Sequence, residues 1–367
     1  MTTATGTKPE ARLSDSLPKP LLMQMLEQML LIRRFEERTQ QSYTQQKIGG
    51  FCHIYIGQEA VAVGSIAATR PTDPIVTAYR DHGHALARGM HPNYAMAEMF
   101  GKITGSSKGK GGSMHLFDKP RHNYGGHAIV GGQCPIGVGL AFASQYTGKD
   151  EVTLCYFGDG ALNQGAFHEA MNLAAIWNLP IIFVLENNGF SMGTAIHRGT
   201  SAADNMAAKA KAYAMRYAEC NGMDVIDTYK TFKREVDATR GSTSKALGLE
   251  QRGAGPCFIN VKTERYVGHS MSDPQKYRDK ATYDAMKKDG NIDPVLRLTE
   301  YVVDHNVATQ EEITVLDEKA KKLSVEAVEF AEQSPDIGVD ELFTDVYAEP
   351  YGPYKKGDVP AMLREQA

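Results

Sequence analysis

Residues 152–189 read VTLCYFGDGALNQGAFHEAMNLAAIWNLPIIFVLENNG, and no other stretch restricts the fold as tightly. VTLCYF is short and apolar, as a buried strand requires. Phe167, Ala170, Met171, Ala174 and Ala175 then recur at helical spacing. IIFVL (181–185) is a continuous apolar run, which suits a parallel strand covered on both faces. A strand–helix–strand unit makes its two strands parallel, so both end at the same edge of the sheet. GDG follows the first strand and ENNG the second. Asp159 and Asn188 are therefore expected to face each other at that edge, where open α/β sheets bind ligands.

A carboxylate and an amide oxygen are hard ligands, suited to magnesium or calcium. Magnesium completes its shell with phosphate and water oxygens. The glycines permit close backbone approach, and the following helix offers its first amides to an anion. The pattern predicts a metal-bridged diphosphate at the C-terminal edge of a parallel sheet.

The rest of the chain extends the same alternation. A helix is expected from Pro20, with Leu22, Met25, Leu26 and Met29 on one face. PIVTAYR (74–80) reads as a short strand, 137–146 as a helix, and DVIDTY and CFINVKT as two further strands with a helix between them. The expected fold is α/β, a doubly wound, mostly parallel sheet with helices on both faces. Its expected divisions are a flexible leader (1–18), the α/β domain (19–290) and a helical C-terminal extension (291–367). TQEE (309–312) is a capping box that opens a helix there. Residues 102–132 are glycine-rich and read as one long, functional loop. GSSKGK within it superficially resembles a phosphate loop. Its glycines stand too close together, and no Ser or Thr follows the Lys.

A net charge of -4 gives no basic surface for nucleic acid. No apolar run approaches the roughly 20 residues that span a bilayer. The five cysteines form no C-x-x-C pair, which fits a reducing, cytoplasmic setting. His82 and His84 could suggest a metal, but two imidazoles make no site.

GDG, about 26 residues, then NN is similar to the thiamine-diphosphate fingerprint. GFCHIYIGQEAVAVG, TAYRDHG, GKGGSMH, YGGHAIVGGQCPIGVGLA, ENNGFSMGT and ERYVGHSMSDP follow in order around it. Together they resemble the alpha subunits of the thiamine-diphosphate-dependent 2-oxoacid dehydrogenases, in particular of the pyruvate-decarboxylating component, over roughly residues 25–345.

The resemblance implies Mg2+ bound by Asp159, Asn188 and the backbone carbonyl of Phe190, where the family often has Tyr. Gly160 and Ala161 would contact the diphosphate through their backbones. Tyr79 and Arg80 match the family's YR pair, with the planar Arg80 fork bonding phosphate oxygens. Ala128, often Gly in the family, and Val130 correspond to the turn against the aminopyrimidine ring. His53 matches a histidine near the reacting centre and His269 one in a loop that orders over the cofactor. Ser270 matches a serine phosphorylated in mitochondrial relatives. The segment 241–256 is longer than its usual counterpart and is expected to alter a surface loop only.

The activity so implied is oxidoreductive: decarboxylation of pyruvate, with the acetyl group passed to a lipoyl group on a dihydrolipoamide acetyltransferase component. The chain carries one diphosphate-binding half, so the resemblance implies a beta subunit in an α2β2 heterotetramer. A branched-chain 2-oxoacid or acetoin dehydrogenase subunit is the neighbouring expectation. A non-catalytic subunit that kept the fold is the one from a different class.

Overall fold

A computed structural model describes residues 17–279, 281, 284 and 292–346. Nearly all of the expected leader and the last residues of the expected C-terminal extension lie outside them. The helices are α1 (Lys19–Thr44), α2 (Glu59–Ala67), α3 (His82–Ala87), α4 (Pro92–Met99), α5 (Gln133–Tyr146), α6 (Gly165–Ile176), α7 (Ile196–Gly199), α8 (Ala207–Lys211), α9 (Val225–Thr239), α10 (Pro294–Asp304) and α11 (Gln310–Gln333). The strands are β1 (Ile75–Ala78), β2 (Asn123–His127), β3 (Thr153–Gly158), β4 (Ile181–Asn187), β5 (Phe190–Ser191), β6 (Thr194–Ala195), β7 (Arg216–Asn221) and β8 (Cys257–Lys262).

Six strands form one sheet in the order β2-β1-β3-β4-β8-β7, and every neighbouring pair is parallel. Residue alternation divides the core. Leu154, Tyr156, Ile182 and Val184 point towards α1, α2 and α9. Cys155, Phe157, Phe183 and Leu185 point towards α5 and α6. Both faces of the central strands are thus dry, which is why VTLCYF and IIFVL carry no polar alternation. The Thr309 capping box opens α11, which packs on α1 and α4.

Two sequence expectations are corrected. DVIDTY is the start of α9, not a strand. Asp224 caps it by accepting from the Ile226 and Asp227 amides at 2.9 and 3.1 Å. Its buried side chains, Val225, Thr228, Phe232 and Val236, follow the helical period. The strand is instead RYAECN, whose polar residues reflect an edge position with one open face. The second correction concerns residues 102–132, which are not wholly loop. NYGGH forms edge strand β2, where Gly is needed because neighbours come close. A Cβ on Gly125 would lie 2.4 Å from the Phe117 ring, and one on Gly126 would lie 2.1 Å from Asp81 Oδ2.

The GSSKGK loop makes an amide nest, and the nest is filled from within. The buried Glu98 carboxylate accepts from the amides of Ser107, Gly109, Gly111 and Gly112 at 2.7–3.2 Å. The long segment 241–256 folds back through a Thr243–Arg252 bridge onto Asn178, at the N-terminal edge of the sheet.

Candidate active site

The β3–β4 register pairs Gly158 with Glu186, so GDG and ENNG leave the sheet side by side. Asp159 opens a short 3-10 turn, Asp159–Asn163, that precedes α6. It is 2% exposed. Ser191 Oγ donates to its Oδ1 at 3.4 Å, while Oδ2 has no hydrogen-bond partner. Burial raises its pKa, against the opposing pull of Arg265 and of the Gly160 and Phe190 amides. Asn188 accepts the Phe190 N–H on Oδ1 at 3.3 Å. The Phe190 amide therefore faces both the Asp159 carboxylate and the Asn188 amide oxygen.

An orphaned carboxylate oxygen in a buried site is costly without a cation. No cluster of three His, Cys, Asp or Glu able to hold a metal occurs among the described residues. One carboxylate, one amide oxygen and backbone carbonyls fit a hard divalent ion that takes its remaining ligands from phosphate and water. Gly160 lies under Ser191, whose Oγ would be 2.9 Å from a Cβ placed there. Ala161 is buried on the α6 side.

Tyr79 and Arg80 follow β1 at the same edge. Buried Arg80 donates from Nη1 to the Ile54 carbonyl and from Nη2 to the His269 carbonyl, both at 2.6 Å. Burial, reinforced by nearby Arg265, lowers its pKa to about 10. The rings of His53, Tyr79 and His269 form a triangle, with centroids 4.6 Å (His53–Tyr79), 5.1 Å (His53–His269) and 5.7 Å (Tyr79–His269) apart. His53 Nδ1 is buried without a partner. Burial, then Arg80, pushes His53 down to about 2 and His269 to about 4. Both are neutral imidazoles near pH 7.

Ala128 and Val130 lie on the turn between β2 and α5, with Val130 exposed and Ala128 half-buried. Gly131 in the same turn packs against Gln164, just after the Asp159 turn. The structure thus gathers all the predicted positions along one sheet edge. His82 and His84 lie behind it as structural groups. His82 bonds Glu36 and Ser113, and His84 bonds Glu186 and Tyr55.

Three residues at this edge were not singled out from sequence. Arg265 is buried and ties the 264–279 loop together, donating to Met192 O, Val267 O and Tyr277 Oη and facing His269 Nδ1. Ser113 accepts the His53 amide at 3.2 Å. Gln58 meets Asn188. All three stand inside recognisable motifs, but their burial and partners are long-range facts. Ser270 lies on the same loop, its Oγ 3.0 Å from Ser272 Oγ.

A parallel sheet edge bearing a buried carboxylate and an amide oxygen is where α/β enzymes bind ligands. Residues 27–339 match the dehydrogenase E1 component family, and the chain belongs to it. That family is in general thiamine-diphosphate-dependent. Its relatives include the pyruvate dehydrogenase E1 component subunit alpha of Rickettsia bellii, 43% identical over 87% of this chain and 93% of the relative. The protein of that name from Rhizobium meliloti is 44% identical over 87% and 88%. The chloroplastic subunit alpha-3 of Arabidopsis thaliana is 39% identical over 90% and 75%.

Proposed function

We propose that this chain is the alpha subunit of a pyruvate dehydrogenase E1 component that works with thiamine diphosphate and Mg2+. The observation that carries the reading is the buried, unpartnered Asp159 Oδ2 beside Asn188 on a sheet edge. The names of the relatives point to pyruvate over branched-chain 2-oxoacids or acetoin.

Asp159, Asn188 and the Phe190 carbonyl would hold the cation, and the Gly160 and Ala161 backbones would meet the diphosphate. When bound, the thiazolium ring of thiamine diphosphate accepts the electron pair released as carbon dioxide leaves a 2-oxo acid. Arg80 supplies fixed positive charge beside that site and anchors the His269 loop. His53 and His269, both neutral, offer ring nitrogens that donate or accept a proton without a buried charge at rest. The His269 loop packs against this edge through Arg80 and the His53 ring. A beta subunit completes the site, and a lipoyl-bearing acetyltransferase component receives the acetyl group.

The test is co-purification with a matched beta subunit, followed by turnover of pyruvate, branched 2-oxoacids and acetoin with lipoamide. Pyruvate should be preferred, and the chain alone should show no turnover. Preference for another substrate, or full activity of the isolated chain, contradicts the proposal.

A further inference from the structure

Asn188 can serve a cation only if its oxygen faces the site. The amide is nearly symmetric in shape, so packing alone does not choose between oxygen and NH2. Two hydrogen bonds make the choice here. The Phe190 N–H donates to Oδ1 at 3.3 Å, and Nδ2 donates to Gln58 Oε1 at 3.3 Å. A half-turn of the amide would set oxygen against oxygen at Gln58 and nitrogen against nitrogen at Phe190.

Gln58 is well placed to hold this choice. It is 1% exposed and precedes α2. Its backbone N–H donates to Tyr55 O at 3.1 Å. The next residue, Glu59, is fully buried, accepts from Arg33 at 2.6 Å and accepts the Gly57 amide at 3.0 Å. The backbone beneath Gln58 is therefore clamped on both sides, which holds its buried side-chain amide against Asn188. Supporting groups of this kind set ligand orientation at metal sites and commonly change affinity by about 10–100-fold.

We infer that Gln58 is a positioning residue for the divalent cation: it pins the Asn188 amide with Oδ1 towards the Asp159 carboxylate. This rests on the proposed cation–diphosphate reading of the site. Gln58 touches no reacting atom and acts through Asn188.

The test uses the complex with the beta subunit and reads Mg2+-dependent binding of thiamine diphosphate by calorimetry, without turnover. Gln58→Met removes the acceptor at nearly constant volume and should raise the half-saturating Mg2+ concentration about tenfold. Gln58→Leu should do the same. Gln58→Glu keeps an acceptor oxygen and should stay at or below the wild-type value. In an Asn188→Asp background both terminal atoms are oxygens and orientation no longer matters, so the effect of Gln58→Met should shrink. Unchanged Mg2+ dependence in Gln58→Met and Gln58→Leu overturns the inference. An equal loss from Gln58→Met in the wild-type and Asn188→Asp backgrounds also overturns it, because a general packing defect would produce that. A wild-type complex without Mg2+-dependent binding would overturn the functional reading itself, and this inference with it.

Discussion

Arg80 Nη2 donates to the His269 carbonyl oxygen at 2.6 Å, joining groups 189 residues apart in the chain. The other terminal nitrogen bonds the Ile54 carbonyl. One planar side chain thus fixes the segment carrying His53 against the loop carrying His269. Lysine has a single ammonium and cannot reproduce that fork. Arg80→Lys should raise the thiamine diphosphate requirement at least about tenfold, the equivalent of one lost charge-assisted bond. It should also speed tryptic cleavage between residues 264 and 279. Unchanged titration and cleavage would show that the fork is dispensable.

Asp159 should behave as a residue kept for binding at the expense of the apoprotein. Its unpartnered oxygen and raised pKa mark a burial cost that a bound cation relieves. Asp159→Ala should lose Mg2+-dependent cofactor binding, yet its apo form should melt no lower than wild type. Ligands at about a hundredfold Kd should stabilise the wild-type complex by about 2.7 kcal/mol and the variant not at all. Paired thermal melts with and without Mg2+ and cofactor check both halves.

The histidine pair gives a pH dependence with a defined sign. Their folded pKa values, about 2 for His53 and about 4 for His269, lie below the ordinary 6.5. Below about pH 6.5 the unfolded chain takes up protons that these two folded histidines refuse, so their contribution to stability falls. The loss from His269 is complete near pH 4, and that from His53 continues towards pH 2. Ring proton resonances of both histidines should stay at their neutral positions down to about pH 5. Midpoints near 6.5 would refute the burial argument.

Glu98 should matter for a loop that sequence alone suggests is functional. Its carboxylate takes four backbone amides of residues 107–112, just before Ser113, which holds the His53 amide. Glu98→Ala leaves those donors without their acceptor and should cost about 2–3 kcal/mol, as expected for buried amides that lose a charged acceptor. Chemical denaturation measures that loss. Glu98→Gln should retain part of the stability, since its amide oxygen still accepts.

The segment from Val152 to Gly189 carries its own structure. Continuous apolar runs, helical spacing and two turn signals place Asp159 and Asn188 on one edge, because successive parallel strands must end together. The same logic makes that edge the expected ligand site, and the surrounding motifs mark Arg80, His53 and His269. Elsewhere local signals mislead. The β-branched residues of DVIDTY suit either a strand or a helix face, and only the Asp224 cap and burial against the sheet select α9. RYAECN lacks apolar strand character because one face of its edge strand is open, and NYGGH because close neighbours demand glycine, so pairing with β8 and β1 reveals them. Tertiary structure also decided which amides surround Glu98, which oxygen of Asp159 lacks a partner and which way Asn188 turns. Sequence period fixes the face and edge that a residue occupies. Hydrogen-bond partners dozens to hundreds of residues away are chosen only when those edges meet.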